Sequence, residues 1–223
     1  MAKVTKKVLG FSRKKVGDVV FANFRGDTVA RAYQPMVRNP RTEKQQLQRG
    51  KFAMLSSYAK AVSGGIYYGL GAAAKSMKLS PRNLFVKLNK DTITMTTPTS
   101  GTTDFSSMVV AKGGFFKTTT GTILTDEPNT ISIPVTALDV EGIRAADVAV
   151  RVVVYNRDEE QGLYSSGGIS TVGTIDVTVP GSWNGTRFQV WCFCEYTGDE
   201  IVSLGVKKGD ISDSWFAGDG TIS

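Results

Sequence analysis

The chain has 223 residues, with 27 Lys/Arg against 20 Asp/Glu and a net charge of +7. A hydrophobic fraction of 41% is enough for a buried core, and no apolar run reaches the ~18–20 residues of a membrane-spanning helix. Histidine is absent, which excludes Ser-His-Asp and Cys-His catalysis and imidazole acid–base work within this chain.

The charge is unevenly placed. The first sixty residues hold fourteen Lys/Arg and three Asp/Glu, a net of +11, while the other 163 hold thirteen and seventeen, a net of −4. The N-terminus, Met1 to Gly10, is charged and lacks the long apolar stretch of a secretory signal. Residues 1–41 read as a basic, extended arm. Within it, Val16 to Phe24 alternates weakly and Thr28 to Tyr33 follows, with Arg25-Gly26-Asp27 as the hairpin turn between them. So short a hairpin offers few core residues and needs a partner surface to be stable. Arg25-Gly26-Asp27 also spells an integrin-binding tripeptide, but three residues carry almost no specificity.

Pro35 and Pro40 bracket a linker, and Thr42 then opens a helix. Thr42 with Gln45 matches a capping box. Leu47, Phe52, Met54, Leu55, Tyr58, Ala59 and Val62 supply an apolar stripe at helical spacing. Gly50 weakens this helix by about 1 kcal/mol, and Ser63-Gly64-Gly65 is expected to end it. Ser80-Pro81 predicts a second, short helix, with Ser80 as N-cap, Leu84, Phe85 and Leu88 on one face, and an end near Lys90.

From about residue 91 the pattern turns to strands. The candidates are Phe105–Val110, Phe115–Lys117, Thr130–Pro134, Val148–Asn156, Gly162–Ser165, Gly173–Val179, Arg187–Tyr196 and Ile201–Val206. Val148 to Tyr155 is almost continuously apolar, as a core strand is, whereas Thr174 to Val179 alternates and has one wet face. Asp158, Glu159 and Glu160 sit between two strands and read as a solvated loop, with a carboxylate pair or cation site as the sharper alternative. Trp191 is the expected core anchor. Cys192 and Cys194 share one face of a strand and cannot pair with each other, so they read as buried thiols. With no other cysteine, a zinc site would need carboxylates or another chain, and a reducing site of synthesis fits. In the tail, Trp215 and Phe216 among Gly, Asp and Ser suggest docking, on a partner or on the chain's own body.

The expected fold is mainly β with two N-terminal helices: an antiparallel immunoglobulin-like β-sandwich preceded by an extended arm with a hairpin. The expected divisions are 1–41 for the arm, 42–95 for the helical segment, 96–209 for the sandwich and 210–223 for the tail. No catalytic, cofactor-binding or metal site is expected, and the chain does not read as an enzyme. The residues expected to meet partners are Lys3, Lys6, Lys7, Arg13, Lys14, Lys15, Phe21, Phe24, Arg25, Arg31, Tyr33, Arg38, Arg41 and Arg49, with Trp215 and Phe216 docking the tail.

Three segments together carry a resemblance: Gly10 to Val20, Val29 to Tyr33, and above all Asn39-Pro40-Arg41-Thr42-Glu43-Lys44-Gln45-Gln46-Leu47-Gln48-Arg49-Gly50-Lys51-Phe52. With Val150–Tyr155 and Val190–Gly205, they resemble a family of proteins from Bacteroides-type bacteria and their phages. Gly64–Met77 and the tail after Gly209 depart from its pattern. The resemblance implies a phage or prophage virion component without enzyme activity, with crAss-like phages of gut Bacteroides as the setting. A structural subunit of the neck or tail ring, a capsid decoration or a head-fibre attachment is the leading expectation. It would lie in the virion, be made in the bacterial host cytoplasm, contact no membrane, and form a homo-oligomer within a larger assembly. Its partners would be copies of itself and other virion proteins, with packaged DNA as a further candidate. The alternatives are a nucleic-acid-binding protein without sequence preference, suggested by the basic arm, and a carbohydrate or cell-surface adhesion module, suggested by the sandwich with Trp183 and Trp215.

Overall fold

The computed structural model describes residues 2–4, 14–24, 27–36, 41–136, 140–165 and 173–223. The chain divides into two units, Met1–Thr42 and Glu43–Ser223. The architecture is mainly β, and the named strands pair antiparallel throughout.

The first unit is a small sheet rather than an extended arm with one hairpin. β1 (Ala2–Val4), β2 (Lys14–Val16), β3 (Val19–Phe24) and β4 (Asp27–Ala32) lie in the order β1-β4-β3-β2. β3 and β4 pair from Val19↔Ala32 to Phe24↔Asp27, so the expected hairpin is present, with its turn residues 25 and 26 outside the described residues. A second tight turn at Gly17-Asp18 joins β2 to β3, and Gly17 takes φ +56 there, a backbone that L side chains resist.

The second unit begins with helices. α1 (Glu43–Ala61) is followed at once by α2 (Ser63–Gly69) and α3 (Gly71–Ser76), and then by α4 (Pro81–Asn89). Four helices thus stand where two were expected. Ser63-Gly64-Gly65 does not end the helical path, because bonds of i to i−4 type run through the joints: Val62 N–H to Tyr58 O at 3.0 Å, Ile66 to Val62 at 3.1 Å and Leu70 to Ile66 at 2.9 Å. Leu55, Ala59, Val62, Ile66, Leu70 and Ala74 therefore form one buried stripe across three helices. Phe52, read as part of that stripe, is 54% exposed. α4 follows the sequence expectation, with Ser80 Oγ accepting from Asn83 N–H at 3.2 Å and Leu84 and Phe85 fully buried.

The strands of this unit are β5 (Ile93–Thr97), β6 (Ser100–Thr103), β7 (Thr130–Val135), β8 (Val148–Asn156), β9 (Gln161–Ser165), β10 (Gly173–Thr178), β11 (Arg187–Tyr196) and β12 (Trp215–Thr221). β5 and β6 form a hairpin beside α1. β12, β11, β8 and β9 make the central four-stranded sheet, while β10 and β7 make a two-stranded one.

The central sheet is covered on both faces. Val148, Val150, Val152 and Val154 of β8, with Phe188, Val190, Cys192 and Cys194 of β11, pack against Ile131, Ile133, Ile175 and Val177 of β7 and β10. Val153, Tyr155, Trp191 and Phe193 point the other way, into a second core with Leu55, Ile66, Leu70, Leu84 and Phe85. Helices, central sheet and small sheet thus form three layers. Burial on both faces explains why β8 lacks alternation, whereas β10 buries only Ile175 and Val177 and keeps one face wet.

Three expected strands are corrected. Residues 105–110 form a turn and an irregular segment, although Met108 and Val110 are buried. Their backbone is satisfied by side chains: Asp104 Oδ1 accepts from Ser106 N–H at 3.1 Å, Asn89 Oδ1 from Val109 N–H at 2.7 Å and Ser214 Oγ from Val110 N–H at 3.0 Å. Phe115–Lys117 contributes only an isolated parallel bridge from Phe115 to Ser212. Ile201–Val206 is closed by one bridge around a 3-10 turn at Val202–Leu204, with Gly205 at φ +65. Without a neighbouring strand of matching length, apolar alternation alone does not make a ladder.

Glycine governs the contact between helices and sheet. A Cβ on Gly65 would lie 2.4 Å from Val153 Cγ2, and one on Gly162 of β9 would lie 2.5 Å from the Ala61 carbonyl oxygen. Gly65→Ala is therefore expected to lower unfolding free energy by about 1–3 kcal/mol through overpacking. Gly71, with nothing within 4 Å of such a Cβ, is expected to give a neutral or stabilised Gly71→Ala variant, by up to about 1 kcal/mol. Equilibrium denaturation of both variants checks the contrast.

Candidate assembly interface

The arm sheet sorts its side chains onto two unlike faces. Partners in register share a face. Val16, Val19, Phe21, Ala30 and Ala32 therefore line one side, through the pairs Val16↔Val19, Val19↔Ala32 and Phe21↔Ala30, with Lys14 at the register position opposite Phe21 on its edge strand. Lys15, Val20 and Arg31 form a row across the other, through Lys15↔Val20 and Val20↔Arg31. Tyr33, two residues beyond Arg31, joins them, and Lys15 Nζ stands 3.5 Å from the centroid of its ring. Val16 is 60% exposed and Val19 37%, so the apolar face is not enclosed. Among the described residues of this unit no helix or second sheet is present to form a second layer.

The expected contact residues fall in different places. Lys6, Lys7, Arg13, Arg25 and Arg38 lie outside the described residues. Lys3 is placed in β1, Lys14 in β2 and Phe24 in β3, but their side chains also lie outside the described part. Lys15, Arg31 and Tyr33 meet on the basic face, and Phe21 lies on the apolar one. Arg41 precedes α1, and Arg49 belongs to it. The sequence reasoning singled out Phe21 but missed Val16, Val19, Ala30 and Ala32. Weak period-two alternation in Val16 to Phe24 was the available signal, and pairing with β4 makes it legible.

Trp215 and Phe216 dock on the chain's own body. β12 pairs with β11 through Cys192↔Trp215 and Trp191↔Phe216. Trp215 packs against the core shared with β7 and β10, and its Nε1–H donates to Thr120 Oγ1 at 3.3 Å. Phe216 faces the helices and meets Trp191 edge-on, with centroids 6.0 Å apart. Trp183 is 2% exposed. The tryptophans that suggested sugar stacking are thus committed to packing.

The helix-facing side of the central sheet carries a polar cluster. Arg151 Nε donates to Glu195 Oε2 at 2.8 Å, and both side chains are 11% exposed. Tyr68 of α2 donates its hydroxyl to Glu195 Oε1, and the Arg151 guanidinium lies 5.4 Å from the Tyr68 ring centroid. Burial opposes the charge on Arg151, but the hydrogen bond and charge of Glu195 outweigh it and hold its pKa above the ordinary value. Burial, and then the bond to Glu195, raise that of Tyr68. This cluster ties α2 to the sheet. Charged residues interrupting two otherwise apolar strands were its sequence signal.

The remaining candidate chemistry is structural. Cys192 and Cys194 are free and buried; burial pushes the Cys194 thiol up to about 11 and Cys192 higher still. Residues 157–160 form the turn between β8 and β9. There Asp158 accepts from the Arg187 backbone N–H at 2.8 Å and pairs with its guanidinium. Those hydrogen bonds hold the Asp158 carboxyl down at about 2. Among the described residues no three of His, Cys, Asp or Glu cluster to hold a metal ion. A groove of about 430 Å³ lies between α3, residues 112–116 and residues 204–211, bordered by Phe116 and Leu204, which are 40% and 41% exposed.

Residues 10–203 match the model of a family of unknown function, DUF6266, and the chain belongs to that family. The match takes in the arm from residue 10, the helices and the sheets through β11; β12 lies beyond it. No curated protein and no solved structure matches the chain.

Two outcomes follow for the body. Removing one partner of the Arg151–Glu195 pair leaves a buried charge uncompensated, so Glu195→Gln or Arg151→Met should lower stability by roughly 3 kcal/mol. The double variant Arg151→Met/Glu195→Met should lose less than either single change; denaturant unfolding of all three is the measurement. Because the folded state depresses the Asp158 pKa, its stabilisation is present above the unfolded value and disappears as the carboxylate is protonated between about pH 4 and pH 2. Asp158→Asn should flatten the stability profile across that window, as read from denaturation midpoints.

Proposed function

We propose that this member of the DUF6266 family is a structural, non-catalytic subunit of a phage particle, held by protein–protein contacts in a neck or tail ring, a capsid decoration or a head-fibre attachment. The observation that carries the assembly reading is the arm. Its described residues form a single-layered sheet with Val16 and Val19 exposed and no second layer to make a core, and a sheet of that kind is stable only when that face is covered. Exposed apolar side chains on the body, Tyr67 at 61% and Met77 at 43%, add surface for further contacts. The resemblance of Asn39 to Phe52 to proteins of Bacteroides phages supports the particle setting, in the virion and away from membranes. Other virion proteins and further copies of this chain are the partners.

An immunoglobulin-like description of the body is part of the same proposal. Strand order supports it. Taking β7, β8, β9, β10, β11 and β12 as strands B, C, C′, E, F and G, the central sheet has the order G-F-C-C′ and the small sheet pairs E with B. Segment 120–124 bridges the other edge of β7 through Thr120↔Val135 and Leu124↔Ser132, the place of strand A. The helices then cover the outer face of the G-F-C-C′ sheet.

Both core clusters consist of residues from the second unit, so residues 43–223 are expected to fold without the arm. Deleting residues 1–42 should leave cooperative unfolding intact and abolish incorporation into particles. In the full-length chain, Phe21→Asp, which charges the apolar face, should do the same. Incorporation is measured by quantifying the chain in purified particles, and undiminished incorporation of either variant would sink the assembly role of the arm.

A further inference from the structure

We infer that the second face of the arm sheet binds the phosphodiester backbone of nucleic acid, without sequence preference, while the apolar face is engaged by protein. This inference rests on the basic face alone and does not depend on how the apolar face is covered.

The charge balance selects the class of partner. Residues 1–42 hold ten Lys/Arg and two Asp/Glu, a net of +8, against +7 for the whole chain, so residues 43–223 carry a net of −1. A second copy of the body therefore has almost no net counter-charge to offer. A partner that complements +8 in so short a segment is a polyanion, and a phosphodiester backbone is the densest regular one.

The geometry places part of that charge on one surface. Lys15, Val20 and Arg31 stand in a single row across β2, β3 and β4. At about 4.8 Å between strands, Lys15 and Arg31 are about 10 Å apart at the backbone. The row carries no carboxylate; Asp27, opposite Phe24 on the same face, lies four residues from Arg31 along β4, at the far end of the sheet. Ala22 and Val29 sit opposite each other on the same face and keep its floor low. Tyr33 stands 42% exposed beside Lys15. Cations flanking a low apolar floor with an exposed ring are the components of a backbone-tracking, base-stacking surface. Because Val19, Phe21 and Ala30 lie on the reverse side, a protein contact there leaves this surface open.

The test uses the full-length protein with two fluorescent probes, a short random-sequence duplex and an oligothymidylate, in anisotropy titrations over a salt series. Binding of either probe, with log affinity falling as log salt rises, is expected. Charge reversal at both positions, Lys15→Glu with Arg31→Glu, should reduce the magnitude of the salt slope by about 2 and weaken binding about 10- to 100-fold near ~0.1 M salt. Lys15→Gln with Arg31→Gln should act in the same direction and serves if the reversed arm fails to assemble. Val202→Glu adds one negative charge on the exposed surface of the body and should leave the affinity within about twofold. No binding at low salt, unchanged affinity in both double variants, or an equal loss in Val202→Glu would overturn the proposal. Displacement of both probes by polyglutamate at equal charge concentration would overturn it in favour of an acidic protein partner.

Discussion

The pairing of β8 with β11 is the constraint on which the body depends. Nine consecutive pairs, from Phe188↔Asn156 to Tyr196↔Val148, set these strands side by side, and each strand is buried on both faces. With a side-chain period of two, the register decides which core each residue enters. Val152 and Cys192 meet the small sheet, while Val153 and Trp191 meet the helices. A slip of one residue in either strand would exchange its two sets and drive Arg151 or Glu195 into the apolar core facing the small sheet, away from its partner.

The helical layer follows from that sheet. A face bearing Val153, Tyr155, Trp191 and Phe193 has to be covered, and the stripe from Leu55 to Ala74 covers it. The approach is close enough for glycine to be required at Gly65 and Gly162. The Trp191 indole N–H reaches Phe105 O at 3.1 Å, and buried Asn89 grips the backbone at Val109. The irregular segment after β6 is thereby hydrogen-bonded to α4 and β11. Among the described residues the arm unit has no such second layer of its own.

Several elements could be read directly from sequence. Ser80-Pro81 announced α4 because a cap is local chemistry. β8 and β11 were bounded correctly because long apolar runs rich in Val and aromatics exceed local noise. The pairing of Val19–Phe24 with Asp27–Ala32 was foreshadowed by the turn residues between them. The failures share a cause in tertiary contact. Ser63-Gly64-Gly65 resembled a helix stop, yet its glycines serve approach to Val153 and Tyr164. Phe105–Val110 resembled a strand, yet side chains from Asn89, Asp104 and Ser214 satisfy its backbone. β12, with Gly218 and Gly220 and little apolar content, became a strand because the edge of β11 was open to it. On the arm, the charges were legible, but the placing of Lys15 and Arg31 on one face was not.

The sequence by itself determined the basic arm, the β-rich body, the absence of imidazole chemistry and the positions of the two longest strands, because composition, caps and apolar runs are properties of neighbouring residues. Only the tertiary structure decided which face each strand residue serves, that a glycine-rich segment is helical, and that Lys15, Arg31 and Tyr33 share a surface opposite Phe21. Those outcomes depend on register and on contacts between residues distant in sequence, which no local pattern encodes.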